Sequence, residues 1–282
     1  MSYLAQKIEA SRVTGKLDIS HMGLSIMPEL PFALTELWCG GNLFTSLPPL
    51  PETLTELWCG GNFLTSLPKL PTKLQELWCS QNRLTLLPDL SESLELLDCG
   101  VNELTHLPLL PLSLTKLWCG ENRLQSLPTL SPFLTSLECD QNMLTSLPEL
   151  PTTLLRLSCS RNKIISLPTL SPSLKVLECF ANQLITLPEP PPSLTRLLAN
   201  RNPYNTPLAK LLTSRNGIEA LKEYYRKMAI QKKAKNCVTL LSTLGRTYSI
   251  NRDCLSLAGS YLSGQKGDLS MQIIQLHKSF AL

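Results

Sequence analysis

Asparagine returns nine times at intervals of 20 residues, from Asn42 to Asn202, and eight of these copies follow a cysteine by three residues, from Cys39 to Cys179. The first full unit reads Leu34-Thr35-Glu36-Leu37-Trp38-Cys39-Gly40-Gly41-Asn42-Leu43-Phe44-Thr45-Ser46-Leu47-Pro48-Pro49-Leu50-Pro51, and later units keep its register. A unit this short cannot bury its own apolar face, so a fixed period of this kind means a solenoid of stacked turns. Alternation across Glu36-Leu37-Trp38-Cys39 predicts a short strand, with Leu37 and Cys39 inward and Glu36 and Trp38 outward. The Asn42 amide both donates and accepts, which suits it to backbone groups that a turn leaves unpaired, and the column is expected to form a structural ladder. In the return half, Pro48 and Pro51 forbid a helix and predict extended or polyproline-like backbone, hence a thin outer side and strong curvature.

The ends of the array obey other rules. Residues 2–13 place Leu4, Ile8 and Val13 on one side and predict a short helix over the open first unit. The unit from Leu17 to Pro31 keeps the apolar frame but has Met22 where the asparagine belongs, as fits an edge unit with fewer partners for an amide. All 22 prolines lie at or before Pro207. Residues 1–202 hold 14 basic against 18 acidic side chains, and residues 203–282 hold 12 against 4. An acidic array joined to a basic tail presents two surfaces suited to different partners. Thr206 as N-cap and Pro207 as first helical residue open a helix with Leu208, Leu211 and Leu212 on one side. Asn216-Gly217 then breaks the chain, Ile218, Leu221, Tyr225 and Met228 mark a second helix, and separate apolar segments follow at Val238–Leu244, Asn251–Leu262 and Leu269–Phe280.

The pattern L-x-x-L-x-C-x-x-N-x-L-x-x-L-P-x-L-P resembles the leucine-rich repeat, and in its length and prolines it is similar to the short repeats of bacterial effector proteins and to arrays in large DNA viruses. The resemblance covers residues 17–207. It implies a curved repeat solenoid, with short parallel strands on the concave face and extended backbone on the convex one, followed by a small helical domain. The expected division is residues 1–16 as an N-terminal cap, 17–207 as the array and 208–282 as the helical domain. Some such effectors are ubiquitin ligases with a large helical catalytic domain, but no stretch of this tail matches their catalytic cysteine motif. Residues 250–262 resemble the opening of an F-box, departing at Asn251 where that family has proline.

For function, the outward strand columns matter most. All four tryptophans, Trp38, Trp58, Trp78 and Trp118, fall in one column, interrupted by Asp98, with Glu36, Glu56 and Glu76 in the column beside it. Exposed aromatics on rigid neighbouring strands have the composition of a protein-binding hot spot. The same columns continue as Lys116, Arg156 and Arg196 with Glu138 and Glu178. The expected function is therefore a nonenzymatic module that holds a partner protein on its concave face. The alternative is a ubiquitin-ligase adaptor, with the helical tail docking a ligase component. The basic run Arg226 to Lys235 reads as a solvated helix face, since no nucleic-acid-reading motif accompanies it.

No catalytic site, cofactor or metal site is expected: His21, His106 and His277 stand alone, and Cys237 and Cys254 lie outside any nucleophile motif. The eight repeat cysteines read as small buried hydrophobes, and thiols free in such number suit a reducing compartment. With no signal-peptide pattern over Met1 to Glu9 and no apolar run long enough for a membrane span, a cytoplasmic location is expected, that of a host cell for an effector or viral protein.

Overall fold

In a computed structural model, residues 2–212 and 217–244 are described. Their order is α1 (Tyr3–Thr14), β1 (Lys16–Asp18), β2 (Glu36–Trp38), β3 (Glu56–Trp58), β4 (Glu76–Trp78), β5 (Leu96–Asp98), β6 (Lys116–Trp118), β7 (Ser136–Glu138), β8 (Arg156–Ser158), β9 (Val176–Glu178), β10 (Arg196–Leu198), α2 (Thr206–Leu212) and α3 (Gly217–Leu244). The ten strands form one parallel sheet in sequence order, and each pairs with the next at an offset of 20, as Leu37 does with Leu57. The 20-residue period thus reappears as strand register.

The core is a stack of identical layers. Leu37, Leu57, Leu77 and their successors to Leu157 are fully buried, as are Cys39 to Cys179, the Leu34 column to Leu174 and Phe44 with Leu64 to Leu184. All eight repeat cysteines are free thiols. Burial pushes the Cys39 and Cys179 thiols up to about 12 and those of Cys59, Cys79 and Cys99 well above their ordinary value.

The asparagine column joins the layers. Asn122 Oδ1 accepts the Leu104 N–H at 3.0 Å, while Nδ2 donates to the Cys99 carbonyl at 3.0 Å and to that of Cys119 at 3.2 Å. One amide therefore satisfies its own turn and the one before it. Met22 now has a physical reason: no turn precedes the first, so an amide there would have nothing to reach back to, and Met22 N–H instead donates to Asn42 Oδ1. At the other end Asn202 is fully used, accepting from Leu184 N–H and donating to the Cys179 carbonyl.

To aim these amides, the residue before each asparagine adopts left-handed backbone. Gly41 and Gly61 do so without strain, whereas Gln81, Val101, Glu121, Gln141, Arg161, Ala181 and Arg201 do so with φ between 52° and 57°. Val101, β-branched with φ of 52°, is the costliest of them.

The return segments contain no helix or strand, as the prolines require. Each ends in a turn closed by a bond such as Leu54 N–H to the Pro51 carbonyl. Where serine replaces that proline, it adds a tie proline cannot make. Ser91, Ser131 and Ser171 Oγ donate to the carbonyls of Thr72, Leu112 and Thr152 in the preceding turn.

Several expectations at the ends change. Helix α1 is capped by Ser2 Oγ, which accepts the Ala5 N–H, and stopped by Gly15 at φ of 71°. Val13, expected to face inward, is 90% exposed, and the side against the array is carried by Leu4, Ile8 and buried Ser11. Asn205, not Thr206, caps α2, since its Oδ1 accepts the Leu208 N–H, and the helix begins at Thr206. Asn205 opens the helix because its carbonyl accepts the Ala209 N–H and its side chain the Leu208 N–H, while its own N–H is held by the Ile185 carbonyl.

The chain divides into two compact units, Met1–Ser214 and Arg215–Leu282. Within the first, α2 buries Leu208. Within the second, α3 is a single helix of 28 residues, so Val238–Leu244 continues it rather than forming a separate segment. Leu221 is buried, whereas Met228 is 47% exposed, and Arg226 through Lys233 form the solvated face expected of a basic run. The F-box-like segment, Cys254 and His277 lie outside the described residues.

Two outcomes test this architecture. Asn122→Ala should cost about 1–3 kcal/mol of stability, because it strands buried backbone groups in two turns. Asn202→Ala removes similar bonds at a half-exposed end where water can replace them, and should shift the melting temperature less. Thiol titration under mildly alkaline native conditions should leave the eight repeat cysteines unmodified, and denaturation should release them all. Disulfides within the column would overturn the packing described.

Candidate functional site

On the outward side of the strands, register brings Trp38, Trp58 and Trp78 onto adjacent strands. Trp58 and Trp78 stack with ring centroids 4.4 Å apart, and Trp38 leans on Trp58 at 6.2 Å. The expected interruption at Asp98 does not occur. Trp78 and Trp118 meet edge-to-face at 5.2 Å, so four indoles form one continuous stripe across the intervening strand β5. Asp98 is small enough to sit low between them, and its carboxylate accepts from Ser80 Oγ at 2.7 Å and from the Gly100 N–H. Burial raises the Asp98 pKa despite those bonds.

The four indoles are not equivalent. Trp78 Nε1 donates to Glu76 Oε2 at 3.0 Å and Trp118 Nε1 points to Ser136 Oγ at 3.4 Å. Trp38 and Trp58 are the more open pair, each 38% exposed, and among the described residues their Nε1 atoms have no acceptor.

Beside this open pair lies a groove of about 820 Å³. Trp38 and Trp58 wall it, Gly40, Gly41, Gly60 and Gly61 floor it, and Asp18, His21 and Gln81 stand at its margins. The floor was not foreseen from sequence, although the signal is there: the paired glycines give way to Ser80-Gln81 in the next unit. A Cβ at Gly41 would lie 2.2 Å from His21 Nδ1 and would require that exposed side chain to move, whereas one at Gly61 would be 3.4 Å from its nearest neighbour.

The charges on this face are distributed unevenly. Toward the C-terminal end, Arg156 pairs with Glu138 at 2.8 Å and Arg196 with Glu178 at 3.2 Å, so acid and base satisfy each other. At the aromatic end Glu36 is held by Lys16 and Glu76 by the Trp78 indole. Glu56 stands between these two carboxylates with no partner of its own among the described residues. Its pKa is raised, first by partial burial and then by the like charges of Glu36 and Glu76, with Lys16 opposing.

No group of acidic, histidine or cysteine side chains that could hold a metal occurs among the described residues, and none of their helices is long and apolar enough to cross a membrane. His21 and His106 are both exposed and apart from each other.

Neither protein-family models nor curated proteins match this chain. Among solved structures it is similar to YopM from Yersinia enterocolitica WA-314, with 32% identity over 71% of this chain and a TM-score of 0.50. The match spans 59% of that chain's length. YopM from Yersinia pestis, described as a leucine-rich effector protein, is 30% identical over 71% of this chain and 81% of its own, with a TM-score of 0.37. The leucine-rich repeat domain of APL1B shares the fold, at 20% identity, coverage of 72% and 73%, and a TM-score of 0.51.

A carboxyl whose folded pKa lies above its unfolded value disfavours the fold once it ionises, so the Glu56 penalty appears as pH rises through that window and is complete at neutral pH. Glu56→Gln should therefore raise the melting temperature at neutral pH, and the gain should vanish at pH values below the ordinary glutamate range. Equal gains at both pH values would show that charge is not the cause.

Proposed function

The chain belongs to the leucine-rich-repeat proteins, and from that premise we propose that its concave strand face holds a partner protein while the chain itself performs no chemistry. The observation that carries this is the continuous tryptophan stripe. A tryptophan left open to water is unfavourable unless something covers it, and Trp38 and Trp58 are each 38% exposed, with Nε1 atoms that have no acceptor among the described residues. Strands β2 to β4 hold these rings on a backbone fixed from behind by buried Leu57, Cys59, Leu77 and Cys79, so little ordering is left for a partner to impose. The eight free, buried thiols support a reducing compartment as the place of action. A ligase-adaptor role for the tail would leave this assignment unchanged, because in both readings the repeats choose the partner.

The test compares Trp58→Ala combined with Trp78→Ala against Lys163→Ala on a loop, reading both melting temperature and partner affinity. The tryptophan pair should weaken binding by about 2–4 kcal/mol, roughly thirtyfold to a thousandfold, and alter folding much less, because an outward ring leaves no core cavity. Gly61→Gln should also block the partner. It fills the groove with the side chain that Gln81 already carries at the equivalent left-handed position. A pair substitution that lowers stability heavily and leaves affinity intact would make the stripe a structural stack.

A further inference from the structure

The concave-face reading leaves the chemistry of the partner open, and the charges around the stripe narrow it. We infer that the groove beside Trp38 and Trp58 receives an extended segment of a partner protein that presents an arginine, its guanidinium lying on the indoles and pairing with Glu56; this inference rests on the strand-face reading above.

Three observations converge on a cation. Trp38 ends the stripe with a ring contact on one side only, and the indole surface left exposed there offers the negative side of a quadrupole, for which a desolvated cation is the strongest partner. Glu56 is half-buried in the column on the far side of Trp58 from the glycines, flanked by Glu36 and Glu76 whose own needs are met, and it makes no ion pair of its own among the described residues, Lys16 acting on it only from its pair with Glu36. Asp18, whose nearest cation is Lys7 at 3.7 Å, adds a further carboxylate at the groove margin. By contrast the C-terminal half of the same face has already paired its arginines with its glutamates. The attraction for a positive group is thus localised at the aromatic end. The same charge pattern repels phosphate and rules a nucleic-acid backbone out as occupant.

Shape selects arginine over lysine and a peptide over a free ion. A guanidinium is planar, so it can lie flat on an indole while its edge donates to a carboxylate, which a compact ammonium cannot do. The groove floor, bare of side chains at Gly40, Gly41, Gly60 and Gly61, leaves room for the main chain that carries such a residue. Where the glycines end at Ser80-Gln81, so does the groove.

The experiment titrates the full chain with fluorescein-labelled peptides of repeating Gly-Ser-Arg, Gly-Ser-citrulline and Gly-Ser-Glu, at neutral pH and low ionic strength, reading anisotropy and tryptophan emission. The arginine peptide should bind and quench tryptophan, and citrulline, which keeps the shape without the charge, should bind on the order of tenfold or more weakly. Glu56→Gln should erase that difference, while Glu149→Gln on the return side should preserve it. If arginine and citrulline peptides bind alike and Trp58→Ala weakens both, the strand-face reading stands and the cation inference falls. If the arginine peptide does not bind, or binds equally after Trp58→Ala and Glu56→Gln, the inference is overturned, and in the latter case the assignment of this face falls with it. Self-association of the wild-type chain that Glu56→Gln removes would likewise overturn a separate partner and give the groove to the basic segment Arg226 to Lys235 of a second copy.

Discussion

Each turn of this array is completed by an amide from the turn that follows it. The carbonyls of the cysteine column lie in a fully buried layer, where an unpaired acceptor costs about 1–3 kcal/mol. A tight 20-residue turn leaves them no strand partner. The asparagine amide meets that need from two sides at once, as Asn62 does by donating to both the Cys39 and Cys59 carbonyls while accepting the Phe44 N–H. Other features follow from this bond: the left-handed residue that aims the amide, the small cysteine in the layer beneath it, and a strand only three residues long because the turn must begin at once.

What could be read from sequence was whatever depends on residues a fixed interval apart. The strand face, the buried cysteine layer and the asparagine ladder all follow from a 20-residue register, because a contact between stacked units is a contact between equal positions. Features set by the reach of a single side chain were not legible in this way. Trp78 and Trp118 touch across β5 although register places Asp98 between them, since an indole spans a gap that a strand spacing does not. Nor did Gly41 and Gly61 announce that Val101 and Arg161 would adopt the same left-handed backbone, because there the amide behind them imposes what the local residue disfavours. At the array's end the helix opens at Asn205, one residue before the position that Pro207 suggests, where the Ile185 carbonyl already holds the Asn205 N–H.

The strand face shows two ways of treating charge on one scaffold. From β7 to β10, acid and base in neighbouring columns neutralise each other and the surface is self-contained. From β2 to β4 the fold instead sets Glu56 between two other carboxylates and beside part-exposed indoles, and ionising it there costs stability.

The direction in which the asparagines reach gives the array a polarity. Because every amide points back toward the N-terminus, a turn is completed only by the turn after it, so an array cut short at any unit keeps one open turn at its C-terminal end. The first turn, which follows α1, lacks the asparagine and has Met22 in its place. At the other end Asn202 closes the last cysteine-bearing turn, donating to the Cys179 and Ala199 carbonyls.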